Sequence, residues 1–176
     1  SWYNETLNTT TRGSRKEFPS VAVIVVESTK VTIYDGDDPD MPMWMVFNAV
    51  GDAFSSHGYI AATTSISTAQ ALNGQIVIGS FSGFGIFVID FLKETSECLR
   101  FSNEAGLRGL HTNVGIVNRN TAIGEHQGTC RRLVGNDVHD LDMTVLPNAP
   151  IDYATGLPIP TIAVAFANAT QSGISV

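Results

Sequence analysis

The sequence predicts an all-β protein built from antiparallel hairpins, and three observations carry that prediction. Val, Ile and Thr supply 47 of the 176 residues while Glu and Lys together supply 10. The first group fits a pleated, half-buried surface, and the second dominates exposed helices. One short pattern, an apolar run, a turn of small residues and a second apolar run, occurs three times along the chain. Finally, Asn73-Gly74 is the strongest two-residue hairpin signal, because both central positions of a type I′ turn need positive φ.

The elements follow in order. Phe18-Pro19-Ser20-Val21-Ala22-Val23 opens the first copy, which continues to Lys30-Val31-Thr32-Ile33 and then Met43-Trp44-Met45-Val46-Phe47. The middle copy comprises residues 66–72, then Gln75-Ile76-Val77-Ile78-Gly79 after the Asn-Gly turn, then Ile86-Phe87-Val88-Ile89-Asp90, with Glu97-Cys98-Leu99-Arg100-Phe101 as a fourth strand. Asp90 falls where Asp35 falls in the first copy. The last copy runs from residues 138–146 through Ile159-Pro160-Thr161-Ile162-Ala163-Val164 to Gly173-Ile174-Ser175-Val176. Each unit (about 1–50, 60–102 and 136–176) reads as up to four antiparallel strands, which resembles the blade of a β-propeller. About three units fall short of the roughly four blades a closed ring needs. A fragment of a longer protein, or a ring completed by further copies, accounts for the shortfall; stacking as a sandwich is the other arrangement left open.

Two stretches are loops. Residues 35–42 hold four aspartates and two prolines, and residues 147–160 hold four prolines and Gly156, compositions that exclude regular structure. Residues 104–135 are rich in glycine and keep no helical period.

The length suits a single domain able to bury a core unaided. Apolar residues at 43% exclude a disordered chain. A net charge of −7 argues against nucleic acid as a partner, which requires a basic face. No apolar run approaches the ~18 residues of a membrane span, so no membrane insertion is expected. The first residues show no secretion signal, which points to cytosolic synthesis or to an excised piece. Cys98 and Cys130 match no zinc or redox spacing and read as two buried thiols rather than a disulfide.

Candidate chemistry is sparse. Asp35, Asp37, Asp38 and Asp40 offer hard oxygen ligands for calcium, but the sixth position is Asp40 rather than Gly and the twelfth is Val46 rather than Glu, so no EF-hand is present. The bland alternative is an acidic turn bonding its own backbone. The glycine-rich Gly79-Ser80-Phe81-Ser82-Gly83-Phe84-Gly85 lacks the lysine and following helix of a phosphate loop and reads as a hairpin turn. His57, His111, His126 and His139 form no metal-binding pair of their own, and the spacing of His126 to Cys130 would need further ligands for zinc. In a sheet such histidines ordinarily bond a neighbouring carboxylate or carbonyl. Asp140 and Asp142 lie on one face of a strand, roughly 7 Å apart, a spacing admissible for glycoside hydrolysis. Trp44, among Met43, Met45 and Phe47, reads as core, whereas Tyr153 in the proline-rich loop is a candidate contact residue. Three Asn-x-Thr triplets, at Asn4, Asn8 and Asn168, match the glycosylation pattern but are discounted without a secretion signal.

Longer strings carry a resemblance. They include Ser1-Trp2-Tyr3-Asn4-Glu5-Thr6-Leu7-Asn8-Thr9, Arg12-Gly13-Ser14-Arg15-Lys16-Glu17-Phe18-Pro19, Val31-Thr32-Ile33-Tyr34-Asp35-Gly36-Asp37-Asp38-Pro39 and Pro42-Met43-Trp44-Met45-Val46-Phe47. A second set is Asp142-Met143-Thr144-Val145-Leu146-Pro147-Asn148-Ala149-Pro150-Ile151-Asp152 with Ala154-Thr155-Gly156-Leu157-Pro158-Ile159-Pro160-Thr161-Ile162-Ala163-Val164-Ala165. Together these resemble a segment of large structural proteins of tailed bacteriophages, many from marine viral sequence. The resemblance covers nearly the whole chain, with a divergent middle, and departs at Phe166-Ala167-Asn168-Ala169-Thr170-Gln171. It implies a tail-associated polypeptide with propeller-like repeats, resident in the virion after synthesis in the host cytoplasm. The implied partners are other virion proteins or copies of itself, with a host-surface glycan as a further one. No catalytic residue or cofactor is transferred by it. The expected activity is therefore binding, through the rim loops carrying Asp35, Asp37, Asp38, Asp40 and Tyr153. The alternatives are a polysaccharide-acting enzyme using Asp140 and Asp142, and a calcium-stabilised lectin-like module.

Overall fold

A computed structural model describes residues 1–51, 58–61, 65–81, 85–100, 110–111, 114–122, 131–135, 137–167 and 172–176, with backbone alone at 100, 110, 111, 131 and 132. Among these the fold is all-β, with two short 3-10 turns, Trp2–Asn4 and Ile116–Asn118, and no α-helix. The strands form three sheets in chain order. The first joins β1 (Ala22–Glu27), β2 (Lys30–Asp35), β3 (Met43–Val50) and the short β4 (Ile60–Ala61). The second joins β5 (Ile66–Leu72), β6 (Gln75–Ser80), β7 (Ile86–Asp90) and β8 (Thr95–Arg100), extended on β8 by the two-residue β9 (Leu110–His111) and β10 (Arg131–Arg132). The third contains β11 (Val138–Thr144), β12 (Thr161–Phe166) and β13 (Gly173–Ser175). All pairs are antiparallel except β3–β4 and β8–β10. The strand counts of four, six and three differ from uniform four-stranded units, because two short strands from the glycine-rich 104–135 stretch, β9 and β10, both add to β8 of the second sheet.

Hairpin chemistry fixes the registers. Asn73 and Gly74 both take positive φ, 49° and 75°, and close Leu72 onto Gln75, as the I′ turn demands. The repeat is also visible in side-chain roles. Asp35 and Asp90 end the equivalent strands β2 and β7, and both are buried. Asp35 Oδ1 accepts the Asp37 N–H at 3.0 Å, and Asp90 Oδ1 accepts the Leu92 and Lys93 N–H groups at 2.9 Å. Each aspartate thus caps the turn that follows it.

The middle sheet is buried on both faces. On β6, Ile76 and Ile78 face one core with Val31, Ile33, Trp44, Met45 and Phe47, while Val77 faces another with Val138, Leu141, Val164 and Phe166. The same alternation divides Phe87 and Ile89 from Ile86 and Val88 on β7. A period-two chain with every position apolar must bury both faces, and the first and third sheets supply the two covers. Cys98 is buried in the first core; Cys130 lies outside the described residues. Trp44 is core, 1% exposed, as its neighbours predicted.

The strands that lead each sheet lie together. β5 neighbours both β1 and β11. Ile66 N–H bonds Ser28 C=O at 3.1 Å, whereas residues 18–24 face residues 69–75 across a groove, so β1 runs opposite to β5. Ser67 Oγ donates to Val138 C=O at 2.8 Å, and Asn73 Nδ2 to Pro158 C=O at 2.8 Å beyond the end of β11, so β11 runs alongside β5 in the same direction.

Two arginines tie the first residues to the first sheet. Arg119, 1% exposed, donates from Nε to Val46 C=O at 2.7 Å, from Nη2 to Thr11 C=O at 2.7 Å and from Nη1 to Glu5 Oε2 at 2.8 Å. Arg12, fully buried, donates to Trp44 C=O at 2.8 Å and lies 4.6 Å from the Trp44 ring centre. Burial lowers the Arg12 pKa, against the opposing field of Glu5 and with that of the nearby Arg119. Nothing local in the sequence signals this network, because arginine is ordinarily exposed.

Candidate functional site

The loops of all three sheets meet at one end of the molecule, and a chain of contacts connects them. The acidic turn comes first. Arg15 Nη1 bonds Asp35 Oδ2 at 2.7 Å and Asp37 Oδ2 at 3.0 Å. Asp37 also accepts the N–H groups of Ser20 and Val21 at 2.8 and 3.0 Å. These amide bonds foremost, and then Arg15, hold the Asp37 carboxyl below the usual carboxylate range. Asp35 and Asp37 are therefore brought together around an internal cation, the Arg15 guanidinium, and clamp residues 15–21 to the β2–β3 turn. Asp38 and Asp40 are exposed and stand apart from that cluster; Asp38 Oδ1 accepts the Asp40 N–H at 2.9 Å. No group of three or more metal-ligating side chains occurs among the described residues.

Next to this clamp lies the groove between β1 and β5, about 480 Å³, lined by Phe18, Ser20, Ala22 and Ile24 on one side and by Ala69 and Leu72 on the other. It ends at the Asn73-Gly74 turn. Beyond that turn a smaller cleft of about 70 Å³ separates Gln75, Asp90 and Lys93 from the proline-rich loop.

That loop, whose composition excludes regular strands, closes on itself as a miniature hairpin through an isolated bridge. Ile151 bridges Pro158, Asp152 N–H bonds Leu157 C=O at 2.9 Å, and Gly156 N–H bonds Asp152 C=O at 2.8 Å with Gly156 at φ 70°. Its outer flank is fixed by Ile159 N–H to Pro150 C=O at 2.8 Å. Two bonds dock it on the middle sheet: Asn73 to Pro158, and an ion pair between Lys93 and Asp152. Lys93 and the N–H groups of Ala154 and Thr155 lower the Asp152 pKa. The pinned loop nonetheless presents apolar side chains outward. Tyr153 is fully exposed, Ile151 is 50% exposed and Leu157 38%.

The remaining candidates sit elsewhere. Asp140 and Asp142 share the exposed face of β11, opposite Ala165 and Ala163. Each accepts the N–H of the next residue at 2.9 Å, and neither lines the groove or the cleft described above. His139 is exposed and meets the Phe81 ring edge-on at 4.8 Å, so its neighbour is an aromatic ring rather than the expected carboxylate or carbonyl. His57, His126, Cys130 and Asn168 lie outside the described residues, as does the side chain of His111. β6 and β7 pair antiparallel, and Ser80 N–H bonds Gly85 C=O at 3.0 Å; residues 82–84 lie outside the described residues. No helix among the described residues is long and apolar enough to cross a membrane. No protein-family model, curated protein or solved structure matches the chain.

Proposed function

We propose that the chain is a non-catalytic contact module of a tailed-phage virion or tail, its three sheets arranged as propeller-like blades. The observation that carries the binding reading is the 147–160 loop. It is fixed by internal hydrogen bonds and by Lys93 and Asn73, yet it projects Tyr153, Ile151 and Leu157 into solvent. A rigid loop with outward aromatic and aliphatic groups loses little entropy on docking. The blade-like reading is supported by the adjacency of β1, β5 and β11 and by the doubly covered middle sheet. The resemblance of the quoted strings to phage structural proteins supplies the virion, and with it host-surface glycan or neighbouring virion proteins as partners. The test is binding of the purified chain to host cells and to arrays of surface glycans, with Tyr153→Ala beside the parent. The reading expects Tyr153→Ala to weaken binding about tenfold, the scale of one lost aromatic contact, with an unchanged melting temperature. Equal binding by both proteins, or release of reducing sugar that Asp140→Ala abolishes, would replace it.

A further inference from the structure

We infer that the open edge of β1 is an acceptor site for an extended strand donated by another polypeptide, which adds to the first sheet antiparallel to β1. The inference stands on strand order and not on the host-contact reading. The repeat aligns Phe18-Pro19-Ser20-Val21-Ala22-Val23 with Ile159-Pro160-Thr161-Ile162-Ala163-Val164, so β1 corresponds to β12. The shared role of Asp35 and Asp90 makes β2 correspond to β7, and hence β1 to β6. In the second and third sheets that strand carries a partner on its leading side: β5 on β6 and β11 on β12. In the first sheet that place holds no strand among the described residues, and β1 is an edge. The direction of β1 agrees with this register. It runs opposite to β5, as β6 does.

The edge is polar and unsatisfied. Hydrogen-bonded pairs alternate in an antiparallel ladder. The bond from Gly36 N–H to Val21 C=O sets the phase, so Val23 and Val25 bond β2 while Ala22, Ile24 and Val26 turn their backbone groups to the open side. Those of Ala22 and Ile24 border the groove of about 480 Å³ between β1 and β5, whose lining side chains are all uncharged. A neutral lining beside unpaired N–H and C=O groups suits a peptide backbone rather than an ion. Ile66 N–H already takes Ser28 C=O, which closes the groove at its far end and confines the guest to the 20–24 half of β1. The guest's inward side chains meet half-buried Ala22, Ile24 and Ala69, so they are short and aliphatic, like the alternation of β5.

The experiment uses the full chain and a synthetic peptide of the β5 sequence, Ile66–Leu72, as probe. Addition of peptide is expected to slow amide hydrogen exchange at Ala22 and Ile24 at least about tenfold, with binding detectable below about 1 mM. Peptides N-methylated at alternate residues separate backbone pairing from simple burial: methylation in one parity abolishes binding and in the other does not. Ala22→Pro removes one edge N–H at the first residue of the strand, a position where proline is tolerated, and is expected to abolish binding with the fold intact by circular dichroism. Self-association that protects the same two amides would also support the inference, with a second copy as donor. Amides already protected in the monomer, no binding by 1 mM, or equal binding by both methylation parities would overturn it.

Discussion

Arg119 offers the sharpest quantitative test of how the first residues are held. Arg119→Met keeps most of the apolar length over the Phe47 ring, 5.5 Å from the guanidinium, and removes every charged bond. The Val46 carbonyl keeps Asn120 Nδ2 at 3.0 Å, and the Ile116 carbonyl keeps the Arg119 main-chain N–H at 3.0 Å. The Thr11 carbonyl and the Glu5 carboxylate lose their strongest partner. Truncating one member of a buried ion pair costs about 3–5 kcal/mol. Glu5 is 11% exposed, so water relieves part of its loss and the lower end, about 3 kcal/mol, applies. For a chain of this size that is a fall of about 6–12 °C in melting temperature. Urea unfolding followed by tryptophan fluorescence reads it, since Trp2 and Trp44 lie 5.4 Å apart beside Arg12. Glu5→Gln/Arg119→Met should cost less than the sum of its single changes, because the second removes a charge that the first has orphaned. A loss below about 1 kcal/mol, the value of an exposed pair, or strict additivity, refutes the reasoning.

Three further outcomes follow from the geometry. The Asp37 carboxyl titrates below the ordinary carboxylate range, so its contribution is present above that range and is lost as pH falls through the folded value; Asp37→Asn should flatten the acid limb of a stability–pH curve below about pH 4. Lys93→Ala removes the ion pair to Asp152 and should speed proteolytic cleavage within 147–160, while global stability by urea changes by less than about 1 kcal/mol. In Gly79→Ala the new Cβ would lie 2.6 Å from Val138 Cγ1 and 2.9 Å from Thr68 Cγ2, so overpacking should cost about 1–3 kcal/mol in the same assay.

Much of the fold was legible because its signals are local. The Asn73-Gly74 turn, the period-two apolar runs and the prolines that bound 147–160 each act over a few residues. The repeat added long-range information, and Asp35 and Asp90, aligned between its first two copies, make matching turn caps. What stayed hidden is non-local. Val77 and Ile78 look alike in sequence, and only the third sheet explains why both are buried. Arg12, Arg119 and Glu5 are brought together by tertiary structure across more than a hundred residues. The acidic turn was legible as charge, yet its internal cation, Arg15, lies 20 residues from Asp35 with no motif to announce it. In the 147–160 loop, Tyr153 was visible as an aromatic among prolines, whereas the pins at Lys93 and Asn73 were not.

The stacked arrangement is tested most directly by truncating the neighbours Val77 and Ile78 separately to alanine and measuring unfolding in urea. Because one points toward the first sheet and the other toward the third, both changes should destabilise: about 1–3 kcal/mol for the valine and about 2–5 kcal/mol for the isoleucine. If either substitution leaves stability unchanged, one face of the middle sheet is open and the three-layer account is wrong.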